Sequence, residues 1–317
     1  MASPVIRLTP TVYFYRAVSY FENYDYTNAA RNFSLALQSS DLFEPFKSEA
    51  YNYLGFIKFE LNSFSDAVIY FNQALSSGSL DQAQKAMARY HRGMANNKLG
   101  SYQTVVSDLT SAIGSGVLGP YELGLAYLVI GMLRSDNQQF TQALSDLTMA
   151  INNEELSREL KGEARIRRAK AKVAMGLYRD AIEDISFIIH SELPDKFFHA
   201  AAEILRAFPQ QIIMDCLKAG TDSFNSGDYL QAESYLTPTL FYPDISENFR
   251  AVALMIRTHA RIKLGKFDQI SVEITEFINI NLLSLEVKET FEKFKVELMS
   301  RVAASAAQDL APSCRPG

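Results

Sequence analysis

The chain has 317 residues, 48% hydrophobic and 21% charged, which is the balance of a folded globular protein rather than of a disordered one. Its formal net charge of −5 gives no broad positive field for nucleic acid, so none is expected as a partner. Two cysteines, Cys216 and Cys314, are too few for a disulfide framework and fit a reducing, cytoplasmic setting.

In chain order, residues 1–10 read as a lead-in without a basic segment followed by an apolar run, so no secretory signal is expected. The apolar stretches that follow are broken by charge or Gly too often for membrane insertion.

Residues 11–192 then carry one phrase five times. Ala29, Ala67, Val105, Ala143 and Ala181 stand 38 residues apart. Each is followed four residues later by a large apolar residue: Phe33, Phe71, Leu109, Leu147 and Ile185. Three residues further on come Ala36, Ala74, Ala112, Ala150 and Ile188, and three before each anchor is an aromatic: Tyr26, Phe64, Tyr102, Phe140 and Tyr178. Spacings of three and four place all of these on one helical face. Upstream, Gly55, Gly93 and Gly131, with Ala17 and Ala169 in register, let a preceding helix approach closely. Gly100 and Gly176 mark the turn between the two helices. Each unit is therefore helix, turn, helix, and such units must stack to bury their apolar faces.

The string Tyr51-x-x-Leu54-Gly55, followed by Phe64, Ala67, Phe71 and Ala74, resembles the tetratricopeptide repeat, with Tyr51 where that family usually has Trp. The family's period is about 34 residues, shorter than that of this chain. The extra residues are expected to lengthen the second helix or the link between units. The resemblance implies an all-α fold, a right-handed α-solenoid of about seven helix-turn-helix repeats.

Residues 193–208, with the helical composition DKFFHAAAEILRAF, read as an inserted helix. Two further repeats follow over 209–281. The sixth has Gly220, Gly227, Tyr229, Ala232 and Leu236; the seventh has Gly265, Phe267, Ile270, Ile274 and Phe277. Pro238 and Pro243 are expected to shorten the second helix of the sixth repeat. Residues 282–311, with Val287, Phe291, Phe294, Leu298 and Val302 on one stripe, read as a capping helix, with a partner-binding helix as the alternative, and 312–317 as a frayed tail.

The four histidines show no metal-ligand spacing, and the glycines serve turns rather than a phosphate loop. No metal, cofactor or catalytic residue is expected, and the protein is read as no enzyme. Asp108, Asp146 and Asp184 recur at the repeat period and are expected to pair with repeat arginines, of which Arg92 and Arg168 precede the small residue of their helices, as do Arg16 and Arg257. Arg165, Arg167, Lys170 and Lys172 surround Arg168 and read either as a solvated face around that structural arginine or as a patch for an acidic or phosphorylated partner segment.

In the family, the first helix of each repeat lines a concave groove. By register, the lining positions here are Phe14, Val18 and Phe21; Asn52, Phe56 and Phe59; Tyr90, Met94 and Asn97; and Leu125, Leu128 and Met132. Such a surface is either core, if the superhelix is tight, or a groove for an apolar or amphipathic segment. The family's clamp for a C-terminal carboxylate is absent, because Phe14, Val18, Tyr53, Met87 and His91 occupy its positions. The expected function is a protein-interaction scaffold that binds a partner peptide or helix in the groove. The alternative is a dedicated chaperone sheltering an apolar segment of a client.

Overall fold

The computed structural model describes residues 9–266, apart from 192 and 243, together with a few isolated positions beyond 269. Among the described residues the secondary structure is helical, with fourteen α-helices. Backbone contacts divide the chain into two compact units, Met1–Ala164 and Arg165–Gly317.

The first unit holds four helical hairpins. They are α1 (Pro10–Glu22) with α2 (Tyr26–Leu37), α3 (Glu44–Glu60) with α4 (Phe64–Ser76), α5 (Gln82–Leu99) with α6 (Tyr102–Gly114), and α7 (Pro120–Asp136) with α8 (Phe140–Asn152). The anchors Ala29, Ala67, Val105 and Ala143 are fully buried, as are Phe33, Leu109 and Leu147, and Phe71 is nearly so. The small residue of the first helix has a steric cause. A Cβ built on Gly55 or Gly131 would stand 2.7 Å from the Phe71 ring or from Leu147 Cγ, closer than side-chain carbons pack.

Successive first helices also touch, α1 with α3, α3 with α5 and α5 with α7, whereas no successive second helices of this unit do so among the described residues. The first helices are thereby gathered on one face, and the candidate groove lies there.

The second unit begins inside α9 (Arg158–Ala174) and continues with α10 (Tyr178–His190), α11 (Asp195–Arg206), α12 (Gln210–Asn225), α13 (Tyr229–Phe241) and α14 (Glu247–Lys263). Ile166 and Ala169 of α9 share a buried cluster with Ala181, Ile182 and Ile185 of α10. The inserted segment is helical as α11, whose Phe197, Ala201, Ile204 and Leu205 are buried in that same cluster. Ile270 and Ile274 of the seventh repeat are helical and fully buried. Phe267, Phe277, Val287, Phe291, Phe294, Leu298 and Val302, like most of 282–311 and all of 312–317, lie outside the described residues.

Among the described residues, seven helix ends turn in the same way. Tyr24, Asn62, Gly100, Gln138, Gly176, Gly227 and Gly265 each have φ between 57° and 85°. The N–H of the next residue donates to a carbonyl five residues back at 2.8–3.0 Å, as Ser63 to Lys58 and Gln139 to Arg134. These are Schellman caps: one left-handed residue turns the chain back while satisfying a carbonyl at the helix end.

In the first four hairpins the second helices span 12–13 residues, and the first helices of the second to fourth span 17–18. One expectation is corrected: Pro238 does not shorten α13, which runs through it to Phe241. Proline removes the donor that would reach the carbonyl of Ser234. The Ser186 hydroxyl of α10 supplies that hydrogen bond instead, at 2.9 Å. Tertiary contact thus keeps a helix intact where local sequence would end it.

Candidate partner-binding groove

The twelve residues proposed for the groove divide by burial. Phe14, Tyr90 and Leu128 belong to the core and offer no free surface. Phe14, for example, is packed against Phe33 and Phe46 at ring separations of 5.7 and 4.8 Å. Val18, Phe21, Asn52, Phe56, Phe59, Met94, Asn97, Leu125 and Met132 are half-buried. What remains is a strip drawn from four neighbouring first helices, with Asn52 and Asn97 as its polar members.

The aromatic residues of the strip hold adjacent helices together. Phe21 of α1 meets Tyr53 and Phe56 of α3 edge-on at 4.8 and 5.5 Å. Phe56 and Phe59 in turn meet His91 of α5 at 5.0 and 5.5 Å. Edge-to-face pairs of this kind add about 0.5–1.5 kcal/mol beyond burial.

His91 stands at the centre of the strip, and sequence reasoning gave it no role. Its ring also packs edge-on against Tyr90 and stacks on Phe71. Its Nδ1 lies 2.9 Å from the Met87 carbonyl. Burial lowers its pKa below the usual 6.5, against the opposing pull of that carbonyl and of Glu122. A base with a depressed folded-state pKa stabilises the fold fully above its unfolded pKa. That stability is lost as pH falls from about 6.5 through the folded value. The urea midpoint of the protein should therefore drop as pH is lowered through this window, and His91→Phe should remove part of the drop. Identical pH profiles for the two proteins would show that His91 is not the titrating group.

The recurring carboxylates are consumed in structural pairs. Asp108 receives Arg92 in a two-pronged contact of 2.7 and 2.6 Å, while the same guanidinium donates to Asn72. Asp184 is fully buried and receives Arg168 at 2.9 and 2.6 Å, Lys172 at 2.8 Å and Arg165 at 3.2 Å. Asp146 pairs instead with Arg134, at 2.6 Å, because its own register position on the first helix is Ile130. Among the described residues Arg16 has no carboxylate partner. The corresponding position on α2 is Asn32, whose amide donates to Asn28, and Arg16 donates to the Tyr20 hydroxyl at 3.2 Å. Arg257 donates to the hydroxyl of Thr237 at 3.3 Å. A buried acid that the repeat pattern did not mark, Glu233, receives Arg261 at 2.7 Å and Lys266 at 2.6 Å.

The basic patch changes accordingly. Arg165 and Lys172 are bound to Asp184, and the Arg165 guanidinium lies 3.8 Å from the centre of the Phe187 ring. Arg167 is half-buried and Lys170 exposed. Arg165 and Lys172 are therefore not displayed for an acidic partner as the sequence suggested. Their charge balances a buried one.

Among the described residues no group of three or more His, Cys, Asp or Glu is placed to hold a metal ion. No described helix is long and apolar enough to cross a membrane.

The repeated hairpin, its Schellman turn and the contact of successive first helices define a tetratricopeptide-like, all-α repeat protein. Among solved structures the chain is similar to a tetratricopeptide repeat protein from Parabacteroides merdae, at 14% identity and a TM-score of 0.47, over 90% of this chain and 98% of that one. It is also similar to the apo form of RapI, at 12% identity and a TM-score of 0.43, over 93% of this chain and 99% of that one. A third is the apo form of the quorum sensor NprR from B. thuringiensis, at 14% identity and a TM-score of 0.39, over 92% and 81% of the two chains. No protein-family model matches the chain, and no curated protein does.

Proposed function

We propose that the protein is a non-catalytic interaction scaffold that binds an apolar or amphipathic segment of a partner protein along the first helices of its N-terminal unit. The observation that carries this reading is the half-buried strip of Val18, Phe21, Phe56, Phe59, Met94 and Met132 on α1, α3, α5 and α7. A face meant only for water would be polar there, and an apolar strip left open favours association. Methionine suits such a surface because it repacks readily around a partner. The non-catalytic part of the reading is supported by the fate of the recurring aspartates, each held by cations that fix one helix against another.

The test uses two kinds of variant. Phe56→Ser with Met94→Ser removes apolar surface and should abolish capture of the partner, with some loss of stability because Phe56 also packs on Phe21. Asn52→Arg with Asn97→Arg fills the groove from its polar positions and should abolish capture with the thermal midpoint unchanged. If the arginine variant retains its partner at parental affinity, the strip is not the binding surface.

A further inference from the structure

The half-buried apolar strip is flanked by carboxylates that the fold itself does not use. Glu22 of α1 and Glu60 of α3 stand 38 residues apart, each four residues after a strip residue, Val18 and Phe56, and so on the same helical face. Both are exposed, and Glu49 of α3 is half-buried. None of the three has an ion-pair partner among the described residues. The neighbouring cations of α3 are already engaged, Lys47 with Glu44 at 3.2 Å and Lys58 with Asp66 at 3.3 Å.

These acids lie beside the aromatic ladder. The Tyr53 phenol is pushed up by burial and then by the charges of Glu49 and Glu22, and Tyr53 packs on Phe21 at 4.8 Å. Tyr26 is raised by burial and then by Glu60, and it contacts both Phe21 and Phe56. Unpaired negative charge thus borders the apolar strip where α1 meets α3.

Resting on the groove reading above, we infer that the inner face of α1, α3 and α5 receives a basic amphipathic helix. Its apolar stripe covers Phe21, Phe56, Phe59 and Met94, and its Lys or Arg side chains meet Glu22, Glu49 and Glu60. The spacing suits a helix that crosses the repeats. Packed helices lie about 8–10 Å apart. Residues seven apart on a crossing helix are separated by about 10 Å, at about 1.5 Å per residue. Cations at that interval reach acids on successive first helices while the apolar positions between them face the strip.

The experiment is calorimetric titration of the full chain with two amphipathic helical peptides that share one leucine stripe, one with lysine and one with glutamate on the polar face. The lysine peptide should bind and the glutamate peptide should not. Raising the salt concentration should weaken the lysine peptide. Combining Glu22→Gln, Glu49→Gln and Glu60→Gln should weaken it about ten-fold. Because these acids make no internal pair, the thermal midpoint should stay put. The same charge removed at exposed Glu154, Glu155 and Glu159 should leave binding unchanged. Equal loss from the two triple variants, or none from the groove triple, overturns the inference. If both peptides bind alike and Asn52→Arg with Asn97→Arg blocks both, the charge preference is wrong and the groove reading stands. If the arginine variant still binds the lysine peptide, the groove reading fails with it.

Discussion

Asp184→Asn should lower the unfolding free energy by about 3–5 kcal/mol, the usual cost of breaking a buried ion pair from one side. The Asp184 carboxylate is fully buried and accepts from Arg165, Arg168 and Lys172. An amide keeps the shape but removes the charge, leaving three cations of α9 to repel one another in a site with little water. The paired aspartates should follow in a definite order. Asp108→Asn should cost less, since Arg92 keeps 20% of its side-chain surface in solvent and can rehydrate. Asp146→Asn should cost least. Burial raises its pKa despite Arg134, so its charge is already penalised by the fold. Urea unfolding of the three variants checks the order. A loss at Asp184 no larger than that at Asp146 would show that the three cations do not depend on that charge.

Ala143→Asp should be more damaging still, above about 4 kcal/mol, and Ala67→Asp likewise. Ala143 is fully buried among Leu128, Leu147 and Ala150, and Ala67 among Phe71, Ala74 and Leu80. The side chains packed around each are apolar, so a new carboxylate there loses its water. The same substitution at the exposed Ser145, on the other side of α8, should stay within about 0.5 kcal/mol of the parent. Thermal unfolding distinguishes the two positions of one helix. Equal effects at 143 and 145 would place the buried face wrongly.

The buried faces were legible in the sequence because a repeat packs against its own copies, so each core position is written several times over. Ala29, Ala67, Val105, Ala143 and Ala181 report one environment, and one misleading residue cannot hide it. Turns were legible only where glycine marked them. Tyr24, Asn62 and Gln138 adopt the same left-handed backbone, held by the same carbonyl contact rather than by freedom at the residue. Pro238 misled for a related reason, since the group that rescues its helix comes from α10, far away in sequence.

The candidate site was less legible than the fold. Register assigned twelve residues to one face but carried no information on how closely successive first helices approach. That distance decides that Phe14, Tyr90 and Leu128 are core while Phe56 and Met94 keep some surface. The repeat register marked Arg168 and Asp184 as partners, but it carried no sign that the same carboxylate also gathers Arg165 and Lys172. His91 carried one faint signal. It stands 35 residues after Phe56, which itself stands 35 after Phe21, so the ladder steps from helix to helix at an interval slightly shorter than the repeat.

The most direct test of the groove is site-specific photo-crosslinking in native lysate, with the crosslinker at Asn52 or Asn97 on the first helices, or at Gln73 or Thr110 on the exposed faces of α4 and α6. The proposed function predicts that one and the same protein is crosslinked from Asn52 and Asn97 and from neither of the other two positions. A partner crosslinked from Gln73 or Thr110, and from neither groove position, would contradict it.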